Sequence, residues 1–212
     1  MNFLSEEKKW RKRGYKRVAC LDEAGRGPLA GPVTAAAVLL KINSNNPELL
    51  KISKNIKDSK KLSAKKRQEF FKILTRHPGI KWGVGIVSEK VIDRINILQA
   101  TKLAMAKAIK NLKVKPDFLI LDGNFKINSL VPQKPIIKAD NKVFSCIAAS
   151  IIAKVTRDRI MIKYDEKYPC YKFKIHKGYP TKLHLRMLKR YGPCRIHRRT
   201  FRPVRRLAFK NK

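Results

Sequence analysis

Val18-Ala19-Cys20-Leu21-Asp22-Glu23-Ala24-Gly25-Arg26-Gly27-Pro28-Leu29-Ala30-Gly31-Pro32-Val33 is the stretch on which the reading of the fold turns. An apolar run stops abruptly on two acids, Asp22 and Glu23. The glycines and prolines that follow, between 24 and 32, make a tight connection and not a regular element. Val33–Leu40 then resumes as an apolar, partly β-branched run. Lys16–Leu21 is therefore predicted as a strand ending at the acid pair, and Val33–Leu40 as a second strand pairing back on it.

Outward from this hairpin-like start, strands and helices alternate. Ser63 stands where a helix N-cap belongs, with helix predicted to Arg76 and stopped by His77-Pro78-Gly79. Ile80, Trp82, Val84 and Ile86 alternate with the period of a strand over Ile80–Val87. Ile97–Leu112 has a helical apolar spacing. Pro116 ends it, and Phe118–Leu121 reads as a short buried strand running into Asp122. Ile136–Lys138 is a further candidate strand. Asp140 precedes a long apolar helix from Val143 to Tyr164, and Thr181–Tyr191 is helical before a basic tail. Residues 1–16 read as a charged lead-in and Asn43–Pro47 as a polar loop. The pattern predicts an α/β fold, a mixed sheet with helices packed on it. The 212 residues suit one domain, with room for a small appendage at one end. There is no internal repeat.

The 51 Lys and Arg against 15 Asp and Glu give a formal charge of +36, which calls for a polyanionic partner. Nucleic acid comes first and an anionic membrane second, although a general preference for lysine accounts for part of the excess. No apolar segment is long enough to span a bilayer, and Met1–Trp10 has no secretory apolar core. The four cysteines lie far apart, as reduced thiols of a cytoplasmic protein would. The four histidines have no metal-ligand spacing with one another or with cysteine.

Chemistry rests on the acids. Glu6, Glu7, Glu48, Asp58, Glu69, Glu89, Asp93, Asp117, Asp158, Asp165 and Glu166 all sit in polar or lysine-rich surroundings and read as surface or salt-bridging groups, Lys154 and Asp158 being an i,i+4 pair. Four differ. Asp22 and Glu23 close one apolar run, Asp122 closes another, and Asp140 opens the long helix. Acids at the carboxyl ends of neighbouring strands converge on one crevice. Crowded carboxylates need a counter-charge, and an all-oxygen shell suits Mg²⁺ or Mn²⁺. A plain helix cap for Asp140 and a plain turn for Asp122-Gly123-Asn124 remain open at this point.

The segment Asp22–Val33 resembles the signature of ribonuclease HII, the type 2 ribonuclease H family. The resemblance continues through Asp58-Ser-Lys-Lys-Leu-Ser63, Leu121-Asp-Gly-Asn124, Ile147–Asp158, His176-Lys-Gly-Tyr-Pro-Thr181 and His197-Arg-Arg-Thr-Phe201. It implies a ribonuclease H-like mixed sheet flanked by helices over residues 1–165, with a helical, basic C-terminal extension over 166–212 packed on the same domain. It implies an endoribonuclease of RNA–DNA hybrids that also cuts 5′ of ribonucleotides embedded in duplex DNA, by two-metal catalysis with Mn²⁺ or Mg²⁺, leaving 3′-hydroxyl and 5′-phosphate ends. Asp22, Glu23, Asp122 and Asp140 would be the catalytic metal ligands. Gly25, Arg26 and Gly27 would contact the ribose 2′-hydroxyl and neighbouring phosphates, and Tyr179 the following sugar. Lys60, Lys154 and Arg157 are candidate phosphate contacts. The sequence departs from the family in one place, with Ala139 where glycine usually precedes the fourth acid; a positive φ there would suit alanine poorly. A monomer without an obligate protein partner is expected. The competing readings are a DNA-cutting resolvase on a related fold and a non-catalytic basic nucleic-acid binder.

Overall fold

The computed structural model describes residues 5–41, 51–53, 56 and 62–208. Helix α1 (Ser5–Lys12) leads into strand β1 (Val18–Ala24) and its antiparallel partner β2 (Val33–Leu40). Helix α2 (Ala64–Arg76), strand β3 (Ile80–Val87) and helix α3 (Glu89–Asn111) follow. Strand β4 (Phe118–Asp122), strand β5 (Gln133–Ile136), a 3₁₀ turn (Ala139–Asn141) and the long helix α4 (Phe144–Lys167) come next. Short helices α5 (Phe173–His176), α6 (Lys182–Tyr191) and α7 (Arg202–Ala208) close it. The five strands order as β3-β2-β1-β4-β5, with β4 parallel to β1 and to β5. The sheet is therefore mixed, as the tight connection after Glu23 requires.

Period-two alternation along β2 divides its side chains between two cores. Ala36, Val38 and Leu40 pack with α4 and α2, while Ala35, Ala37 and Leu39 pack with α3. All eight residues of β2 are buried. Helices thus cover both faces of the sheet and leave the strand ends to carry chemistry.

Strand β3 corrects one emphasis of the sequence reading. Trp82 and Ile86, half of its apolar alternation, are 36% and 42% exposed, and the tightest packing lies on the glycines between them. A Cβ on Gly85 would stand 1.9 Å from the Ala104 carbonyl oxygen, and one on Gly83 2.4 Å from that of Ala108. The strand admits α3 to near backbone contact because it has no side chains there. Helix α3 also begins earlier than predicted, at Glu89. Asn96 breaks it at φ 64°, and the Asn96 side chain accepts the Gln99 N–H to restart it, which is why the regular apolar spacing begins at Ile97.

The charged lead-in is a packed helix: Trp10 stacks on Phe118 at 4.0 Å between ring centroids. Glu7, expected at the surface, is 1% exposed and accepts the backbone N–H and hydroxyl of Ser145 at the start of α4. Asp117 and Asp165 form salt bridges as expected, to Arg17 at 3.7 Å and to Lys174 at 3.9 Å, and with Asp93 they also tie down backbone. Asp93 accepts the N–H groups of Arg199 and Thr200, Asp117 those of Lys16 and Arg17, and Asp165 that of Lys174. Asp93 and Asp117 each fasten a segment about a hundred residues away in sequence, whereas the Asp165 contact is local. Among the described residues no helix is long and apolar enough to cross a membrane.

Candidate active site

Register brings the acids together. Leu21 pairs with Leu121 across the parallel β1–β4 ladder, so the next residues, Asp22 and Asp122, come side by side at the end of that ladder. Asp122 then accepts the Ala139 N–H at 2.8 Å, which fixes the 3₁₀ turn holding Asp140. One carboxylate oxygen from each of Asp22, Asp122 and Asp140 lies within 4.8 Å of the others. Asp140 is fully buried, and it sits in this turn and not at the start of α4, whose N-cap is Val143. The alanine at 139 is accommodated because the left-handed residue is its neighbour, Lys138, at φ 58°.

Glu23 stands apart from the three aspartates. Its backbone N–H donates to Asp22 at 2.7 Å, and its carboxylate pairs with Arg26 at 3.2 Å. Burial first, then the charges of Glu23 and Asp122, push Asp22 well above the ordinary carboxylate range. Glu23 is raised as well, burial being the largest cause; Arg26 opposes it while Asp122 and Asp140 add to it. Such a set is poorly stable as bare anions and well matched to a hard divalent cation, which takes several oxygen ligands at about 2.0–2.6 Å.

Beside the acids opens a cleft of about 380 Å³, lined among others by Gly25, Arg26, Gly27, Lys154 and Tyr179. Ser150 and Arg67 join this lining without having been singled out in the sequence. Lys154 donates to Asp158 at 2.9 Å and stands 5.2 Å from the Tyr179 ring centroid. Lys60 lies outside the described residues.

Arg157 is corrected. It is fully buried, and its guanidinium donates to the carbonyls of Ala30, Pro32 and Lys177, so it has no face for a phosphate. It lies directly beneath Gly25, whose φ is +98° and whose Cβ would meet Arg157 Nε at 2.1 Å. Glycine is required there twice over, by backbone conformation and by close approach.

Three of the four histidines, without pattern in the sequence, form a buried cluster under the Tyr179 turn. His176 and His184 rings lie 4.3 Å apart. His184 Nδ1 faces the Tyr179 carbonyl at 2.9 Å, which fixes its proton there and leaves Nε2 to accept from His197 Nε2 at 3.1 Å. His197 Nδ1 in turn accepts the Cys194 N–H. The chain of bonds is complete only when both rings are neutral.

The family model described as Ribonuclease HII matches residues 19–212. A ribonuclease HII of Caldicellulosiruptor bescii is 48% identical over 201 residues, covering 94% of this chain and 93% of that protein. The crystal structure of the ribonuclease H2 from Pyrococcus horikoshii OT3 superposes with a TM-score of 0.74 at 30% identity, over 92% of this chain and 98% of that one. A Bst-RNase HIII solved in complex with Mn²⁺ shares the fold, with a TM-score of 0.66 at 18% identity over 92% of this chain and 70% of its own.

Proposed function

Because the chain belongs to the ribonuclease HII family and is thereby an endoribonuclease of RNA–DNA hybrids, we propose that Asp22, Asp122 and Asp140 hold its divalent cation, with Glu23 completing a two-cation site. The observation that carries this reading is the approach of three carboxylates from three separate elements to within 4.8 Å. Mg²⁺ or Mn²⁺ bound there would lower the pKa of a water and neutralise charge at the departing 3′-oxygen. The all-oxygen donor set suits either ion.

The protein's own residues position the substrate. Gly25, Arg26 and Gly27 face the ribonucleotide, with the exposed Arg26 exchanging Glu23 for a phosphate while Glu23 turns to the cations. Tyr179 packs on the sugar that follows, and Lys154 meets the backbone beside it. Residues 166–208 serve the same unit, since α4 runs through residue 166 unbroken and α5 and α6 carry the turn that presents Tyr179. Scission 5′ of the ribonucleotide leaves a 3′-hydroxyl and a 5′-phosphate.

The test is a duplex bearing one ribonucleotide, with Mg²⁺, with Mn²⁺ and with chelator, beside an all-DNA duplex. Asp22→Asn should lower kcat by roughly 10²–10³-fold or more while changing duplex binding little, as loss of a group acting in the transition state does. Near-normal cleavage by Asp22→Asn would end the metal assignment. Equal cleavage of the all-DNA duplex would end the ribonucleotide assignment.

A further inference from the structure

Arg198, in the C-terminal segment, is fully buried, yet its guanidinium bonds only to backbone carbonyls: Nε to Gly31 at 3.0 Å, Nη1 to Arg26 at 2.9 Å, and Nη2 to Gly25 at 2.6 Å and Pro32 at 3.2 Å. Burial, together with the neighbouring charge of Arg157, pulls Arg198 down to about 9, which still leaves it a cation at neutral pH. Two guanidiniums buried without a bonded carboxylate are expensive to desolvate, and apolar side chains would fill the same space at lower cost. Their retention points to a service other than stability.

The geometry of the peptide unit shows what that service is. There are no cis peptides among the described residues, and across a trans peptide the C=O and the following N–H point in opposite directions. With the Gly25 and Arg26 carbonyls drawn inward onto Arg198, the N–H groups of Arg26 and Gly27 are turned outward. Both residues are exposed and line the cleft. Two successive outward N–H groups form a concave donor site for an oxygen or anion. Gly27 supplies an independent sign. Its φ is not left-handed and a Cβ on it would meet nothing within 4 Å, so the protein's own packing does not call for glycine there. The space is kept for something outside the chain.

The segment that carries Arg198 is itself fixed. Its N–H donates to Leu29, His197 bridges to Ala30, and the Asp93 carboxylate holds Arg199 and Thr200 from near the start of α3. We propose that Arg198 is a positioning residue for substrate choice: by holding two carbonyls inward it aims two N–H donors at the 2′-hydroxyl and adjoining phosphate. The preference for RNA over DNA is thereby set from the C-terminal extension. This rests on the reading of Gly25–Gly27 given above.

The experiment compares the full-length protein with Arg198→Lys, Asp93→Ala and a control of similar thermal destabilisation, Met105→Ala, in the buried centre of α3. For each, kcat/KM is measured on a duplex with one ribonucleotide, and Ki is measured for an all-DNA duplex as competitor. A lysine keeps the charge but cannot fork across both carbonyls. Arg198→Lys should lower kcat/KM roughly tenfold or more, as lost charge-directed hydrogen bonds do, with Ki for DNA within about twofold of the parent. Asp93→Ala, which loosens the same segment from outside, should give the same split more weakly and serves if Arg198→Lys does not melt cooperatively. Met105→Ala should lose Tm without the split. The proposal is overturned if a folded Arg198→Lys keeps its kcat/KM, if Asp93→Ala keeps it when Arg198→Lys fails to fold, or if Met105→Ala shows the same split. Wild-type protein that cuts both duplexes alike would instead overturn the reading of the site on which the proposal stands.

Discussion

Acid should unfold this protein through two histidines. His184 and His197 are 0% and 1% exposed, and burial, with each ring's histidine neighbour adding, lowers them to about 4 and about 3. Both lie below the unfolded value of about 6.5. A depressed folded pKa means that the stability is complete above about 6.5 and is lost as pH falls toward the folded values. At pH 5 an unfolded histidine is largely protonated while the folded one stays neutral. The difference is about 2 kcal/mol for each ring relative to pH 8, or about 4 kcal/mol for the pair. For a chain of this size that is roughly 8–16 °C in Tm. Asp22, Glu23 and Glu7 are shifted upward and so oppose the loss, which makes the net curve a poor test. The assay is therefore a difference: urea unfolding at pH 8, 6.5 and 5 for the parent and for His184→Gln/His197→Gln. The double variant should be the weaker protein at pH 8 and lose about 4 kcal/mol less on going to pH 5. Parallel stability curves for the two proteins would refute the claim that the buried cluster is neutral and complete.

Two further outcomes follow from contacts of atomic scale. Gly85→Ala places a Cβ 1.9 Å from the Ala104 carbonyl, a backbone atom that cannot swing away, and should destabilise by about 2–4 kcal/mol in chemical denaturation; an unchanged midpoint would mean that α3 does not sit so close. Tyr179→Ala should raise KM for a ribonucleotide-bearing duplex roughly tenfold through loss of a stacking face, whereas Tyr179→Phe stays near the parent; steady-state kinetics on the three proteins would show an unmoved KM if the ring does not touch the substrate.

Local rules made much of this legible. Two apolar runs and the glycine–proline connection between them placed β1 and β2, and the stop of an apolar run on acids marked Asp22 and Asp122, because strand ends are where a buried run meets solvent. Ser63 was readable as a cap because capping is a bond over three residues, and its side chain accepts the Lys66 N–H as expected. The failures share one cause. Glu7 read as a surface charge and Arg157 as a phosphate contact since their sequence neighbours are polar, yet each is held by a partner more than a hundred residues away. Glycine is silent to hydrophobic patterning, so Gly83 and Gly85 gave no sign of the helix that lies on them.

The sequence by itself determined the chemistry, a few acids and a glycine-rich turn in a chain otherwise crowded with cations, since those residue types at strand ends have few other uses. Only the tertiary structure decided how the parts act on one another. It placed Asp140 beside Asp22 through a 3₁₀ turn pinned by Asp122, turned Glu23 toward Arg26, and set a C-terminal arginine beneath the Gly25–Gly27 loop. Desolvation and hydrogen bonding depend on what surrounds a group in space, and chain order specifies that only after the sheet register and the helix packing are fixed.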